Sequence, residues 1–342
     1  MWLTSTLFTL SRIANDAYLL SDKFGSSDER AELCLNYYLG AGHLESYISG
    51  SYRLCDGFLS GLSSGDANTA FFCAAYGIHF SVISGGKDLA SLLKEIDYYL
   101  HLLKTYKSEL AMKLLMFYRA TVSTLIDRGE RNGIEANLFS NDTEPGPKLR
   151  EVFYFNAVFR NYWLGYTERC HHFAQKSFAL SKQPGAFTNH FYYALNLLDM
   201  RKKKANLLQT RVVEGIIASM KVAASHAEIN FKNKLELLEA ERYGLTAYHD
   251  SAAALRAYDT AIASARKAGF ILEQGLACEK AGFYSKRVKD NERSLTYFNQ
   301  ALECYKKWGS SMKADFIRKE LRNLGCDDDI SSMWKPVRSR AA

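Results

Sequence analysis

At 342 residues the chain exceeds the usual size of a single compact core, so it forms either two domains or one elongated array of units. Only 4 prolines and 22 glycines, against 47% apolar residues, exclude a disordered or collagen-like chain. The formal charge of +7 is mild for this length, and acids alternate with bases along predicted helices (Glu236, Glu239, Glu241, Arg242). That pattern reads as a solvated surface, and nucleic acid is not an expected partner.

Seven cysteines lie scattered, with no C-x-x-C pair, and Cys73 and Cys278 read as small buried apolar residues. A reducing compartment, the cytoplasm, is the expectation. The start, Met1 to Phe8, lacks the basic opening and long apolar run of a secretory signal and is too short to span a membrane.

In chain order, 2–24 reads as a first helix, with Leu3, Leu7, Leu10 and Ile13 at helical spacing. A helix over 29–39 follows, with Leu33, Tyr37 and Leu39 on its buried side, and 44–59 returns antiparallel. Asp66 opens a helix carrying Phe71, Phe72, Ala75, Tyr76 and Phe80, and Asp88 caps its partner through Tyr106. A long helix over 108–128 carries Leu110, Leu114, Phe117, Thr121 and Leu125. The stretch 129–148, with three glycines and two prolines, breaks the pattern as a loop or hinge. It divides N-terminal hairpins (1–128) from C-terminal hairpins with a capping helix (149–325), and 326–342 reads as a flexible tail.

The C-terminal part opens with an aromatic helix over 152–164, followed by helices over 167–181 and 187–200. A basic turn, Arg201-Lys202-Lys203-Lys204, leads to helices over 206–224 and 231–245. Next comes Ala254-x-x-x-Tyr258-x-x-Ala261, closed by Gly269. Ser294-x-x-x-Phe298-x-x-Ala301, closed by Gly309, repeats it at an offset of 40 residues, and Asp250 and Asp290 precede them at the same offset. An aromatic with a small residue three positions later, on a helix ended by glycine, is the mark of stacked helical hairpins. The fold class expected is all-α, a superhelical array of about seven antiparallel hairpins (a TPR-like α-solenoid) with near-zero strand content.

No catalytic, cofactor or metal constellation emerges. Gly85-Gly86-Lys87 has Asp88 after the lysine and a helix before it, unlike a phosphate loop. Cys170-His171-His172 are adjacent on a helix and point about 100° apart, so they cannot close one tetrahedral site without distant partners, and no second pair stands out. Asp327-Asp328-Asp329 lacks the glycine and distal glutamate of a calcium loop. A curved stack of hairpins does make a concave groove suited to peptides or other domains. Polar residues on the first helices, Asn156, Arg160, Asn189, Tyr193, Asn196 and Arg242, are its candidate protein-binding liners.

The run Leu237-Leu238-Glu239-Ala240-Glu241, then 254–262, then Gly269-Phe270, resembles a segment of very large hybrid sensor histidine kinases. So do Glu273, Leu276-Ala277, Ala281, Phe283-Tyr284, 301–305, Lys307-Trp308-Gly309 and Lys313, and more faintly 187–198, 151–167 and 117–119. In those proteins a TPR-like region lies between a predicted ATPase domain and GAF and histidine-kinase modules. The resemblance implies a non-catalytic scaffold or regulatory region for protein or peptide partners, including kinase or ATPase modules, in a signal-transduction assembly. ATP binding and phosphotransfer would belong to modules this sequence does not contain. A free-standing helical-repeat adaptor unrelated to kinases, or a nucleic-acid-associated regulator, are the alternatives.

Overall fold

The computed structural model describes residues 29–127, 146–180, 187–201, 207–246 and 250–325, with Ile13 and Asp16. Among the described residues there are fourteen α-helices and no strand. They are α1 (Arg30–Gly40), α2 (Tyr47–Ser63), α3 (Ala67–Ser84), α4 (Leu89–Tyr106) and α5 (Glu109–Ile126), then α6 (Pro147–Trp163), α7 (Thr167–Leu180), α8 (Phe187–Arg201), α9 (Leu207–His226) and α10 (Glu228–Thr246). The last four are α11 (Ser251–Ala268), α12 (Ile271–Arg287), α13 (Asn291–Trp308) and α14 (Ser311–Asn323), and a 3-10 turn, Gly42–Leu44, links α1 to α2. Apart from Ile13 and Asp16, the expected first helix over 2–24 lies outside the described residues, as do most of the 129–148 loop and the 326–342 tail.

Local chemistry sets the helix ends. Asp66, Asp88, Asp250 and Asp290 each accept the backbone N–H three residues on, at 3.1, 2.9, 2.8 and 3.1 Å. Each bond satisfies a donor that the first turn would otherwise leave open. At the other end, Gly269 and Gly309 close α11 and α13 with φ of 79° and 82°, the left-handed conformation in which a side chain is strained.

The repeat is visible in space. Corresponding helices start 40 residues apart, α11 to α13 (251 to 291) and α12 to α14 (271 to 311). Tyr258 and Phe298 take matching seats against a glycine of the preceding helix. A Cβ on Gly244 would stand 3.1 Å from the Tyr258 hydroxyl, and one on Gly282 would stand 2.6 Å from the Phe298 ring. Ala261 and Ala301 are buried beside them, where the neighbouring helix comes close.

One expected core position falls elsewhere: Leu39 is 45% exposed. The α1 seam runs through Ala31, Cys34, Tyr37 and Tyr38, because Gly57 and Gly61 of α2 press against Cys34 and Ala31. Leu39 follows Tyr38 by about 100° of helix rotation and so faces outward.

Every helix packs on its sequence neighbour, and alternate helices also touch: α1 with α3, α3 with α5, α6 with α8, α8 with α10, and α10 with α12. These form an inner layer, in which α3, α8 and α12 are buried on most of their circumference. The layer then closes on itself. α14 packs on α5, the Ser310 hydroxyl donates to the Leu125 carbonyl at 2.7 Å, and the 3-10 turn packs on α10. Asn230 of α10 fastens that second contact. Its amide donates to the His43 carbonyl at 2.8 Å and to the Glu45 carbonyl, and its oxygen accepts the Tyr47 N–H at 3.2 Å. The apolar core is accordingly continuous from Cys34 to Leu321.

Two outcomes are expected. Gly282→Val, which forces a side chain into the Phe298 ring, lowers stability by about 1–3 kcal/mol in urea unfolding. Burial holds His43 (helped by the charge of His226) and His190 down to about 4. The folded protein therefore stays unprotonated at these sites while the unfolded chain takes up protons below about pH 6.5. Stability is full above about 6.5 and falls toward pH 4, by an amount on the order of a few kcal/mol; a His43→Gln, His190→Gln variant should show a flatter decline.

Candidate functional site: a charged cleft in the inner layer

Polar side chains of the inner helices meet partners on the helices packed against them. The Thr121 hydroxyl of α5 donates to Asn156 of α6 at 2.8 Å, and Tyr118 of α5 meets His79 of α3 at 3.0 Å. Tyr258 of α11 donates to Glu241 of α10 at 2.6 Å. Deepest of all are Lys234 of α10 and Glu273 of α12, 2.8 Å apart with side chains 0% and 1% exposed. The ammonium also lies 4.0 Å above the Phe270 ring, an arrangement that recovers part of its lost hydration. Burial pushes the Lys234 pKa down and the Glu273 pKa up, each toward its neutral form, while their mutual attraction opposes both shifts.

Where α6, α8, α12 and α14 converge, a cleft of about 170 Å³ remains. Lys280 of α12 reaches both carboxylate oxygens of Asp199 on α8, at 2.8 and 2.6 Å. Its neighbour in sequence, Glu279, holds Lys313 of α14 at 2.9 and 2.6 Å and accepts the Tyr305 hydroxyl at 2.5 Å. Aromatic rings shield the two ammonium groups: Lys313 lies 4.7 Å from the Phe316 centroid and Lys280 5.6 Å from that of Tyr162. Tyr162 lines the cleft, and its solvent-shielded hydroxyl has no hydrogen-bond partner among the described residues. Desolvation and the carboxylates of Asp199, Glu241 and Glu279 drive its pKa well up, so the hydroxyl keeps its proton and can donate.

The six candidate groove liners sit as follows. Asn156 is buried in the α5–α6 seam. Asn189 donates to Ser177 of α7 at 2.8 Å, and Tyr193 is buried against His171 and Phe178. Asn196 donates to the Thr167 carbonyl at 3.1 Å, and Arg242 pairs with Glu214 of α9 at 2.9 Å. Arg160 is half-buried on α6. Asn189, Tyr193 and Asn196 thus cluster at the α7–α8 seam, and Asn196 alone of the six borders the cleft. Cys170 is buried and its thiol faces the Val158 carbonyl at 3.7 Å, a packing position.

No family model matches this chain, and no curated protein matches it.

Sequence reasoning misses Asp199, Glu279, Lys280 and Lys313 because single charges on amphipathic helices read as solvated. One signal was available: Glu273 and Lys280 lie seven apart on α12, the same face that carries the buried Leu276 and Ala277. Charges that interrupt an apolar stripe point inward and require partners.

Removing either member of the deepest pair alone strands a buried ionisable group. Lys234→Met and Glu273→Leu singly are expected to lower stability by about 3–5 kcal/mol, and the double variant to recover most of that loss in urea unfolding.

Proposed function

We propose that this chain is a non-catalytic helical-repeat scaffold that makes protein–protein contacts, and that the assembly it serves is of the sensor-kinase signalling type. The observation that carries the scaffold reading is a hard outer face on a closed frame. The outer helices α2 and α4 lie side by side, with the Phe58 and Tyr99 rings 4.8 Å apart, and present Tyr52, Leu59, Tyr98 and Tyr106 to solvent. Rigid aromatic side chains offer a large contact area with little rotamer freedom to lose on binding. The inner-face residues, by contrast, are largely engaged with each other, which directs a large partner to the outside of the array. The kinase context rests on the sequence resemblance between 237 and 313.

In vivo crosslinking of the full chain, with mass-spectrometric identification, tests both parts. Histidine-kinase or ATPase modules crosslinked near α2 and α4, and lost in a Tyr52→Asp, Tyr98→Asp variant of unchanged melting temperature, are the expected outcome. Partners without such modules would favour a free-standing adaptor. DNA binding that weakens steeply with salt would favour a nucleic-acid-associated regulator and overturn the reading.

A further inference from the structure

We propose that Cys34 of α1 and Cys73 of α3 form a reversible disulfide latch, closed by peroxide and opened by a dithiol. The two sulfurs share one space. A Cβ on Gly57 of α2 would stand 3.0 Å from the Cys34 sulfur and 3.1 Å from that of Cys73. The missing side chain therefore leaves a methyl-sized gap that both sulfurs border. The Cys34 thiol also lies within hydrogen-bond reach of Cys73, and that neighbour together with burial drives the Cys73 pKa well up. Each thiol otherwise makes a long contact to a backbone carbonyl, Cys34 to Arg53 at 3.5 Å and Cys73 to Ala31 at 3.6 Å. A thiol is a weak donor, so neither contact holds the sulfurs apart.

Burial decides when the latch can act. Cys34 and Cys73 are both buried, and peroxide reacts with a thiolate, so the closed seam is inert. Local opening that lifts α1 off α2 and α3 uncovers both sulfurs and lets Cys73 lose its proton. The Cys73 thiolate then attacks hydrogen peroxide. The O–O bond breaks, the sulfur is oxidised to a sulfenic acid, and hydroxide leaves to take up the proton released by Cys73. When α1 reseats, the Cys34 sulfur attacks that sulfenic sulfur. The S–O bond breaks, the S–S bond forms, and the departing hydroxyl carries off the Cys34 proton as water. Two thiols and one peroxide thus give one disulfide and two waters, and a dithiol reductant returns the two electrons.

The bond ties α1 to α3, and with α1 the turn at His43 that α10 holds through Asn230. Closure of the array is then backed covalently at the first hairpin in the oxidised protein. In the reduced protein the same hairpin rests on noncovalent contacts alone. The latch is independent of protein contacts on α2 and α4, since it uses none of the exposed tyrosines.

Hydrogen peroxide treatment of the folded full chain, followed by alkylation and non-reducing peptide mapping, tests the latch. A linked peptide joining Cys34 to Cys73 is expected, and dithiothreitol should return both thiols. The oxidised protein should melt about 5–10 °C higher than the reduced one, a gain that Cys34→Ala abolishes. Asn230→Ala, which loosens the link between α1 and α2, should speed formation of the bond at least about fivefold. Free Cys34 and Cys73 thiols after exhaustive peroxide treatment, or a disulfide between another pair in place of this one, would each overturn the proposal. So would a melting gain that persists in Cys34→Ala, or a bond that forms no faster in Asn230→Ala.

Discussion

One buried amide sets the shape of this molecule. Asn230 has a single acceptor and a two-proton donor, and it spends them on two carbonyls and one N–H in the link between α1 and α2, far away in sequence. The N–H it accepts belongs to Tyr47, the first residue of α2, where a helix has no partner of its own to offer. An asparagine at that point of α10 therefore completes a helix terminus in the first hairpin. Together with Ser310 on the Leu125 carbonyl, it turns a linear stack into a closed one.

Closure changes the physics of a repeat array. In an open solenoid each hairpin touches only its neighbours, and stability is close to a sum of local terms. Here the inner helices face each other, so every polar group they carry must find a partner inside the protein. The Lys234–Glu273, Lys280–Asp199 and Lys313–Glu279 pairs are the consequence. Such pairs add little net stability compared with well-packed apolar residues. What they do supply is directionality, because each fixes one helix face against another. The mutual satisfaction is incomplete in places: the buried hydroxyls of Tyr162, Tyr192 and Ser285 have no hydrogen-bond partner among the described residues.

The periodic part of the fold was legible in the sequence. The 40-residue offset, the aspartate caps at 66, 88, 250 and 290, and the closing glycines at 269 and 309 are local features, written within a few residues of where they act. Closure was not legible. Asn230 and Lys234 look like ordinary polar residues of an amphipathic helix, and nothing near them in sequence names Tyr47 or Glu273 as the partner. The candidate liners illustrate the same limit. Asn156, Asn189 and Asn196 read in the sequence as polar residues on first helices, and the structure engages all three in hydrogen bonds within the array. Helical phase identifies an inner helix, but it does not reveal whether the space in front of that helix is open.

A closed inner layer, an aromatic outer face and a small charged cleft together describe a body with two separate kinds of surface. All of that depends on the seat of the α1–α2 link against α10. Hydrogen exchange at the Tyr47 amide measures that seat directly, because a first-turn N–H without an external acceptor exchanges rapidly. A closed array requires protection of the Tyr47 amide comparable to that of mid-helix amides in α10, with most of it lost in Asn230→Ala. Exchange at the rate of an open helix terminus in the unmodified protein would contradict closure.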